Sequence, residues 1–311
     1  MPSPGSFSAG ADGAACTRNG LRLGEWQRFP LWSGPMQKLL VMQSLWAMEP
    51  AHPAALQAPL EEKLTRILSA GFDGFGVAFF DEAAAREAGR FARANGLAVE
   101  GLSIPATIDG LKPALELGTE IGLHHLNVQP DFRARTVAEA IPVLEGWERL
   151  AEEVDFPIYI ETHRNRMTND LHFTLDLLAA KPDLRLLADL SHYVLAREFN
   201  MPIDGHDRGM LHQVLDHAWA FHGRVASTEQ IQVEISFPQH QIWFDLFKEL
   251  WEYGMRSWKA RAAADAELTF LCELGPQPYA ISGPTGADTT DRWAESLMIR
   301  DAARAIWDRI A

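Results

Sequence analysis

The chain has 311 residues, of which 47% are hydrophobic and 23% are charged, a composition typical of a globular protein with a sizeable core. Its formal net charge of −14, from 28 basic and 42 acidic residues, argues against nucleic acid as a partner, because an acidic surface repels phosphate backbones. No apolar run approaches the roughly 18 residues of a membrane span, so we expect no membrane partner.

The N-terminal stretch and the cysteines bear on location. A mobile tail is predicted for residues 1–35, most clearly as far as Gly20, where Gly, Ser, Ala and Pro are frequent. This stretch has neither the charged n-region nor the apolar h-region of a signal peptide. The two cysteines, Cys16 and Cys272, provide no disulfide framework, which favours a reducing, cytoplasmic location.

From residue 36 onwards, short apolar runs alternate with helical patterns. Strands are predicted at residues 39–48, 76–80, 99–104, 125–129, 158–160, 184–188, 222–226 and 268–274. Helices are predicted at residues 60–70, 81–95, 111–121, 137–154, 171–180, 210–221, 241–263 and 291–310. This alternation predicts an α/β fold, a single-domain (β/α)8 TIM barrel over residues 36–311. A doubly wound open sheet is the alternative, and the lack of a glycine-rich dinucleotide fingerprint weakens it.

Three predicted strands end on a carboxylate. Glu161 follows the fifth strand, Asp189 follows the sixth, and Glu273 lies at the end of the eighth. An unpaired buried charge is costly, and this end of a parallel barrel is where ligands bind. With His222 near the seventh strand, these residues form an oxygen-rich set with one imidazole, which suits Mn, Co or Mg better than thiolate-type zinc. The alternatives are helix caps or ion pairs for the carboxylates and a core position for the histidine.

Four short motifs carry a resemblance to a known family. They contain Glu161 in YIETH, Asp189 and His192 in ADLSH, His222 and Arg224 in HGRV, and Glu273 in ELGP. In this order they resemble the xylose isomerase-like TIM barrel superfamily, which includes sugar phosphate isomerases and epimerases, inosose dehydratase, hydroxypyruvate isomerase and endonuclease IV. The resemblance covers about residues 38–310.

The resemblance implies one divalent ion per chain, with Mn2+ as the first choice and Co2+, Mg2+ or Zn2+ as alternatives. The implied metal ligands are Glu161, Asp189, His222 and Glu273. In the ketose epimerases of this superfamily, the counterparts of Glu161 and Glu273 also transfer the proton. His192 and Arg224 match positions that contact the substrate.

Other polar and aromatic residues are predicted near the same end of the barrel. His163 directly follows the Glu161 strand and is expected to bind a substrate oxygen or, alternatively, to support Glu161. Asn127 ends the fourth strand and is a further substrate-binding candidate. Trp46 and Phe80, at the ends of the first two strands, are expected either to form an apolar wall beneath a sugar or glycoside or to pack in the core. Residues 227–241 are expected to fold over the mouth and shape specificity.

The resemblance implies a metal-dependent isomerase or epimerase of a sugar or related polyhydroxy carbonyl compound, and the predicted site is compatible with proton abstraction and a metal-stabilised enediolate. The main alternative is a lyase or dehydratase acting on a keto-sugar, keto-glycoside or inosose, because the same site can expel a β-hydroxyl. A barrel that only binds sugar is a third class, and the complete ligand set argues against it.

A nuclease is disfavoured. Endonuclease IV holds three ions, whereas Glu229 and Ile231 stand where its pattern has an Asp-x-His pair. The expected partner is therefore a small carbohydrate, and a homo-oligomer is left open.

Overall fold

This computed structural model describes residues 36–50 and 58–310, and the tail predicted at residues 1–35 lies outside the described residues. Its centre is a closed barrel of eight parallel strands in chain order, which confirms the predicted (β/α)8 barrel. The strands are β1 (Lys38–Ser44), β2 (Gly74–Ala78), β3 (Ala98–Ser103), β4 (His125–Val128), β5 (Ile158–Glu161), β6 (Leu186–Ala188), β7 (Ala218–Gly223) and β8 (Glu267–Cys272). Pairing of β8 with β1 closes the barrel.

Helices connect the strands and pack against the barrel and one another. Within the described residues they are α1 (Leu60–Ser69), α2 (Glu82–Asn95), α3 (Lys112–Ile121), α4 (Val137–Ala151), α5 (Leu171–Ala180), α6 (Ser191–Arg197), α7 (Gly205–Leu215), α8 (Gln241–Arg261) and α9 (Arg292–Arg309). Asp81 and Asp291 cap the starts of α2 and α9 by accepting backbone N–H bonds. Gly96 and Gly122 end α2 and α3 with φ of 65° and 72°, which glycine adopts without strain. None of these helices is both long and apolar enough to cross a membrane.

Side-chain alternation along the strands places polar and apolar residues in separate layers of the barrel interior. Residues two apart on a strand face the same side of the sheet. Tyr159, Leu187 and Ala220 form a small buried apolar cluster, and each lies two residues before a site residue, namely Glu161, Asp189 and His222. The site therefore lies one layer above this cluster, towards the carboxyl ends of the strands.

The predicted boundaries were wrong around β7 and at the end of β1. The helix expected at residues 210–221 ends at Leu215, and the strand expected at residues 222–226 begins at Ala218. An apolar run is compatible with either state, and here pairing with β6 and β8 stabilises the strand. The first predicted strand, residues 39–48, was too long: β1 ends at Ser44, and residues Trp46–Met48 form a 3-10 turn.

Candidate metal centre

Four side chains from the carboxyl ends of the strands meet inside the barrel. Glu161 is the last residue of β5, Asp189 follows β6, His222 lies in β7 and Glu273 follows β8. One donor atom from each side chain lies within 4.8 Å of the others, and all four side chains are buried. The structure therefore brings together the four residues that the resemblance implies as metal ligands.

Two amide side chains hold Glu161. Its Oε2 accepts hydrogen bonds from Asn127 Nδ2 at 2.5 Å and from Gln129 Nε2 at 2.9 Å. Its Oε1 has no hydrogen-bond partner among the described residues and lies 3.7 Å from His222 Nδ1. Burial raises the pKa of Glu161 to about 7, with His222 opposing this shift and the neighbouring carboxylates adding to it. Asn127, predicted to contact substrate, thus also orients a proposed metal ligand.

Arg224 lies between the other two carboxylates. Its Nε donates to Asp189 Oδ2 at 3.2 Å, and its Nη2 donates to Glu273 Oε2 at 2.6 Å. The guanidinium is buried against the rings of Tyr279 and Trp46. Burial alone raises the pKa of Glu273, but the charges of Arg224 and His222 together outweigh this effect, and the pKa falls to about 2. Arg224 and His222 therefore keep this carboxylate ionised at neutral pH.

The two ring nitrogens of His222 face different carboxylates. Nε2 lies 2.8 Å from Glu100 Oε1. Nδ1 lies 3.0 Å from Glu273 Oε2 and 3.7 Å from Glu161 Oε1, without a hydrogen bond to any residue that the structure describes. Burial lowers the pKa of His222, but Glu100, Glu273 and Glu161 raise it well above its ordinary value. Without an ion, the ring is therefore cationic at neutral pH.

Glu100 is a residue that the sequence reasoning missed. It lies on β3, is 2% exposed and contacts both His222 and His125. The signal in the sequence was a single acidic residue inside the apolar run AVEGLS, where a buried charge needs a partner. Its partners could not be read from the sequence, because His222 lies 122 residues away.

The two histidines predicted to bind substrate pack against each other beside the site, with their ring planes tilted by 50°. The rings of His163 and His192 lie 4.0 Å apart, and His192 Nε2 is 3.4 Å from Asp189 Oδ2. Neither ring nitrogen of His192 has a hydrogen-bond partner within the described part of the chain. Burial lowers the pKa of His163 to about 4 and that of His192 well below its usual value, so both rings are neutral at pH 7. Their substrate contacts stay predictions.

A cavity of about 510 Å³ adjoins the four-residue cluster. Its polar lining includes His222, Glu273, Arg224, His163 and Asn127, and its apolar lining includes Trp46, Phe80, Leu102, Ile104 and Leu271. Trp46 and Phe80 thus line the cavity, and their contact with a sugar or glycoside stays a prediction. The volume lies within the roughly 300–1,000 Å³ that is usual for small-molecule sites.

The segment at residues 227–241 does not cover the cavity, contrary to expectation. None of its residues is among the described residues that line the cavity. Val233 and Ile235 are buried in the core, and Gln232 exchanges hydrogen bonds with the backbone of Gly275. Burial of Val233 and Ile235 anchors the segment in the core, and the bonds of Gln232 hold it to the chain that follows β8.

The donor set fits a divalent cation. Three carboxylates and one imidazole form the cluster. Glu161 Oε1 has no hydrogen-bond partner in residues 36–50 or 58–310, and it faces His222 Nδ1, whose nearest contact in the cluster is the ion pair with Glu273 Oε2 at 3.0 Å. Buried polar atoms are normally satisfied, so the unpartnered oxygen of Glu161 beside two further carboxylates calls for a ligand. Oxygen-rich sets of this kind suit Mn2+, Mg2+ or Co2+.

The sequence matches no protein-family model and no curated protein. Similar solved structures include an AP endonuclease, family 2, from Brucella melitensis, with 12% identity, a TM-score of 0.47, and 78% of this chain and 94% of that chain covered. A xylose isomerase domain protein from Planctomyces limnophilus has 10% identity and a TM-score of 0.47, over 89% of this chain and 96% of that chain. Dihydrodipicolinate synthase from Aquifex aeolicus has 12% identity and a TM-score of 0.45, over 87% of this chain and 77% of that chain.

Proposed function

We propose that this chain is a divalent-metal-dependent isomerase or epimerase of a sugar or related polyhydroxy carbonyl compound. The observation that carries the proposal is the convergence of Glu161, Asp189, His222 and Glu273 within 4.8 Å beside a cavity of about 510 Å³. Active sites of TIM barrels lie at this end of the strands.

The proposed roles follow from position and hydrogen bonding. When bound, a divalent ion supplies a Lewis acid that stabilises negative charge on a substrate oxygen. Glu161 and Glu273 come from β5 and β8, so they approach a bound substrate from different directions. One takes the proton from the carbon next to the carbonyl and the other returns a proton. Return to the opposite face of that carbon gives epimerisation, and return to the neighbouring carbon gives isomerisation.

Arg224 has a separate proposed role in holding the substrate. Its Nε and Nη2 are bonded to carboxylates, whereas its buried Nη1 has no partner within the described residues. Because Arg224 also lines the cavity, Nη1 is available to donate to a hydroxyl or carbonyl oxygen. The neutral ring of His163 lines the same cavity and offers a second contact.

The test is proton exchange with solvent. The Mn2+-loaded protein would be incubated in deuterated water with a panel of ketoses, aldoses and keto-glycosides, and the products analysed by NMR. We expect deuterium at a carbon next to the carbonyl, together with an epimer or isomer of at least one substrate. Glu273→Gln should abolish the exchange, whereas Thr269→Val, a buried change in β8 away from the proposed ligands, should retain it.

Two results would contradict the proposal. A metal-loaded protein that exchanges no proton with any member of the panel would exclude this chemistry for those substrates. Products that have lost water or a glycosidic leaving group would assign the chain to the lyases, the main alternative.

A further inference from the structure

We propose that Glu100 and His125 form a positioning pair that fixes the ring of His222 and leaves its Nδ1 facing the metal ion, an inference that rests on the proposed function. Glu100 lies on β3 and His125 on β4, where the strand register pairs them directly. Neither residue belongs to the four-residue cluster.

Glu100 bonds to both imidazoles at once. Its Oε1 lies 2.8 Å from His222 Nε2, and its Oε2 lies 2.9 Å from His125 Nε2. Each carboxylate oxygen of Glu100 thus lies within hydrogen-bond distance of one ring nitrogen, and a carboxylate accepts such bonds, so Nε2 of each ring is the donor.

This bond determines which nitrogen of His222 can bind an ion. With the proton on Nε2, the lone pair of a neutral ring is on Nδ1, the atom that faces Glu161 and Glu273. Histidines that ligate metals commonly donate their other N–H to a carboxylate, which fixes the tautomer and the ring orientation. Glu100 occupies the position of such a carboxylate.

His125 prevents the carboxylate of Glu100 from rotating. His125 is fully buried, and its Nδ1 lies 3.1 Å from His124 Nδ1. The ring of His124 therefore holds the ring of His125 in place. Its ring also packs against Tyr159 at 5.1 Å between centroids. Rotation of Glu100 would break one of two buried hydrogen bonds, and an unmade buried bond costs about 1–3 kcal/mol. Residues of β3 and β4 thereby hold a side chain of β7.

The test measures Mn2+ affinity by calorimetry for the wild type, Glu100→Gln, Glu100→Ala and His125→Gln. Thr269→Val is the control, because Thr269 is a barrel-strand residue that is 1% exposed and makes no side-chain hydrogen bond to any residue that the structure describes. We expect Glu100→Ala to weaken Mn2+ binding by about 10- to 100-fold, the usual effect of removing such a partner. Glu100→Gln keeps the volume and loses the charge, so its loss should be smaller, and Thr269→Val should stay within about twofold.

A second readout follows the tautomer rather than the affinity. In Zn2+-loaded protein with 15N-labelled histidine, NMR should show His222 protonated at Nε2 and metal-bound at Nδ1, and Glu100→Ala should lose this fixed state. Should Glu100→Ala fail to fold, Glu100→Gln and the wild-type tautomer decide the matter. Folded Glu100 variants that bind Mn2+ as tightly as the wild type, or binding through Nε2, would overturn the inference.

Failure of this inference can be distinguished from failure of the proposed function. A wild-type protein that binds no ion would overturn both. An ion that is lost in His222→Ala but retained in the Glu100 variants would overturn the positioning role alone.

Discussion

Arg224 and Glu100 compensate opposite charges within one buried cluster. Arg224 bonds to Asp189 and Glu273, whereas Glu100 bonds to His222 on the other side of the site. Removing one partner from a buried ion pair typically costs about 3–5 kcal/mol, because the remaining charge is left uncompensated. The residues that hold the proposed ligands are therefore as important to the site as the ligands themselves.

Ion binding should depend steeply on pH. Without an ion, burial raises the pKa of Glu161 to about 7. The carboxylates around His222 raise the pKa of that ring well above its usual value. An ion needs both groups deprotonated, so near pH 8 it displaces a proton from His222, and below pH 7 it displaces a second from Glu161. For each proton that the ion displaces, the Mn2+ affinity falls about tenfold for every unit by which the pH is lowered.

Calorimetry in buffers of different ionisation enthalpy would count these protons. The count should rise from about one towards two as the pH falls through 7. A Mn2+ affinity that is constant between about pH 6 and pH 8 would contradict the arrangement of charges described here.

At the residue scale, the sequence predicted site residues wherever a charged residue stood at the end of an apolar run. Glu161, Asp189 and Glu273 stood out because a charge ended a predicted strand, and the structure brings them together with His222. Glu100 carried only a weak signal, because it lies inside its strand and its partners come from β4 and β7. Contacts made by side chains across a barrel interior are not encoded in local sequence patterns.

At the scale of elements, the segment that follows β8 shapes the cavity through one glycine. A Cβ at Gly275 would lie 2.1 Å from the ring of Trp46, which is far inside contact distance. Trp46 lines the cavity and packs edge-on against Tyr279 at 5.0 Å between centroids. The missing side chain at Gly275 therefore allows Trp46 to form part of the cavity wall.

Gly275→Ala should thus displace Trp46 and disturb substrate binding. We expect kcat/KM for the substrate found by the deuterium screen to fall roughly tenfold, since small displacements of positioning groups are costly. Gly283→Ala is the matched control, because the nearest atom to its added Cβ is 3.9 Å away. Equal kcat/KM values for Gly275→Ala and the wild type would show that Trp46 has no part in substrate binding.

The boundaries of elements were harder to predict than their order. Residues 218–221 (AWAF) continue the apolar pattern of α7, yet they form β7, because they pair with β6 and β8. This pairing depends on residues more than 25 positions away, such as Thr269 opposite Ala220. Local periodicity cannot choose between helix and strand in so short a run.

At the scale of the whole molecule, the alternation of strands and helices sufficed to predict the barrel. Eight apolar runs separated by amphipathic stretches leave few architectures other than a closed parallel sheet with helices outside. Three expectations do not follow from the barrel and stay predictions. They are the mobile tail at residues 1–35, the cytoplasmic location and the possible homo-oligomer. Size-exclusion chromatography with light scattering would determine the oligomeric state.

The central claim is that one divalent ion is held by four residues from different strands. Elemental analysis by mass spectrometry of the wild type, His222→Ala and Thr269→Val, each soaked with Mn2+ and desalted, tests it most directly. We expect about one ion per chain in the wild type and in Thr269→Val, and none in His222→Ala, with all three folded by circular dichroism. Absence of metal from the wild type after soaking, or full retention in folded His222→Ala, would contradict the claim.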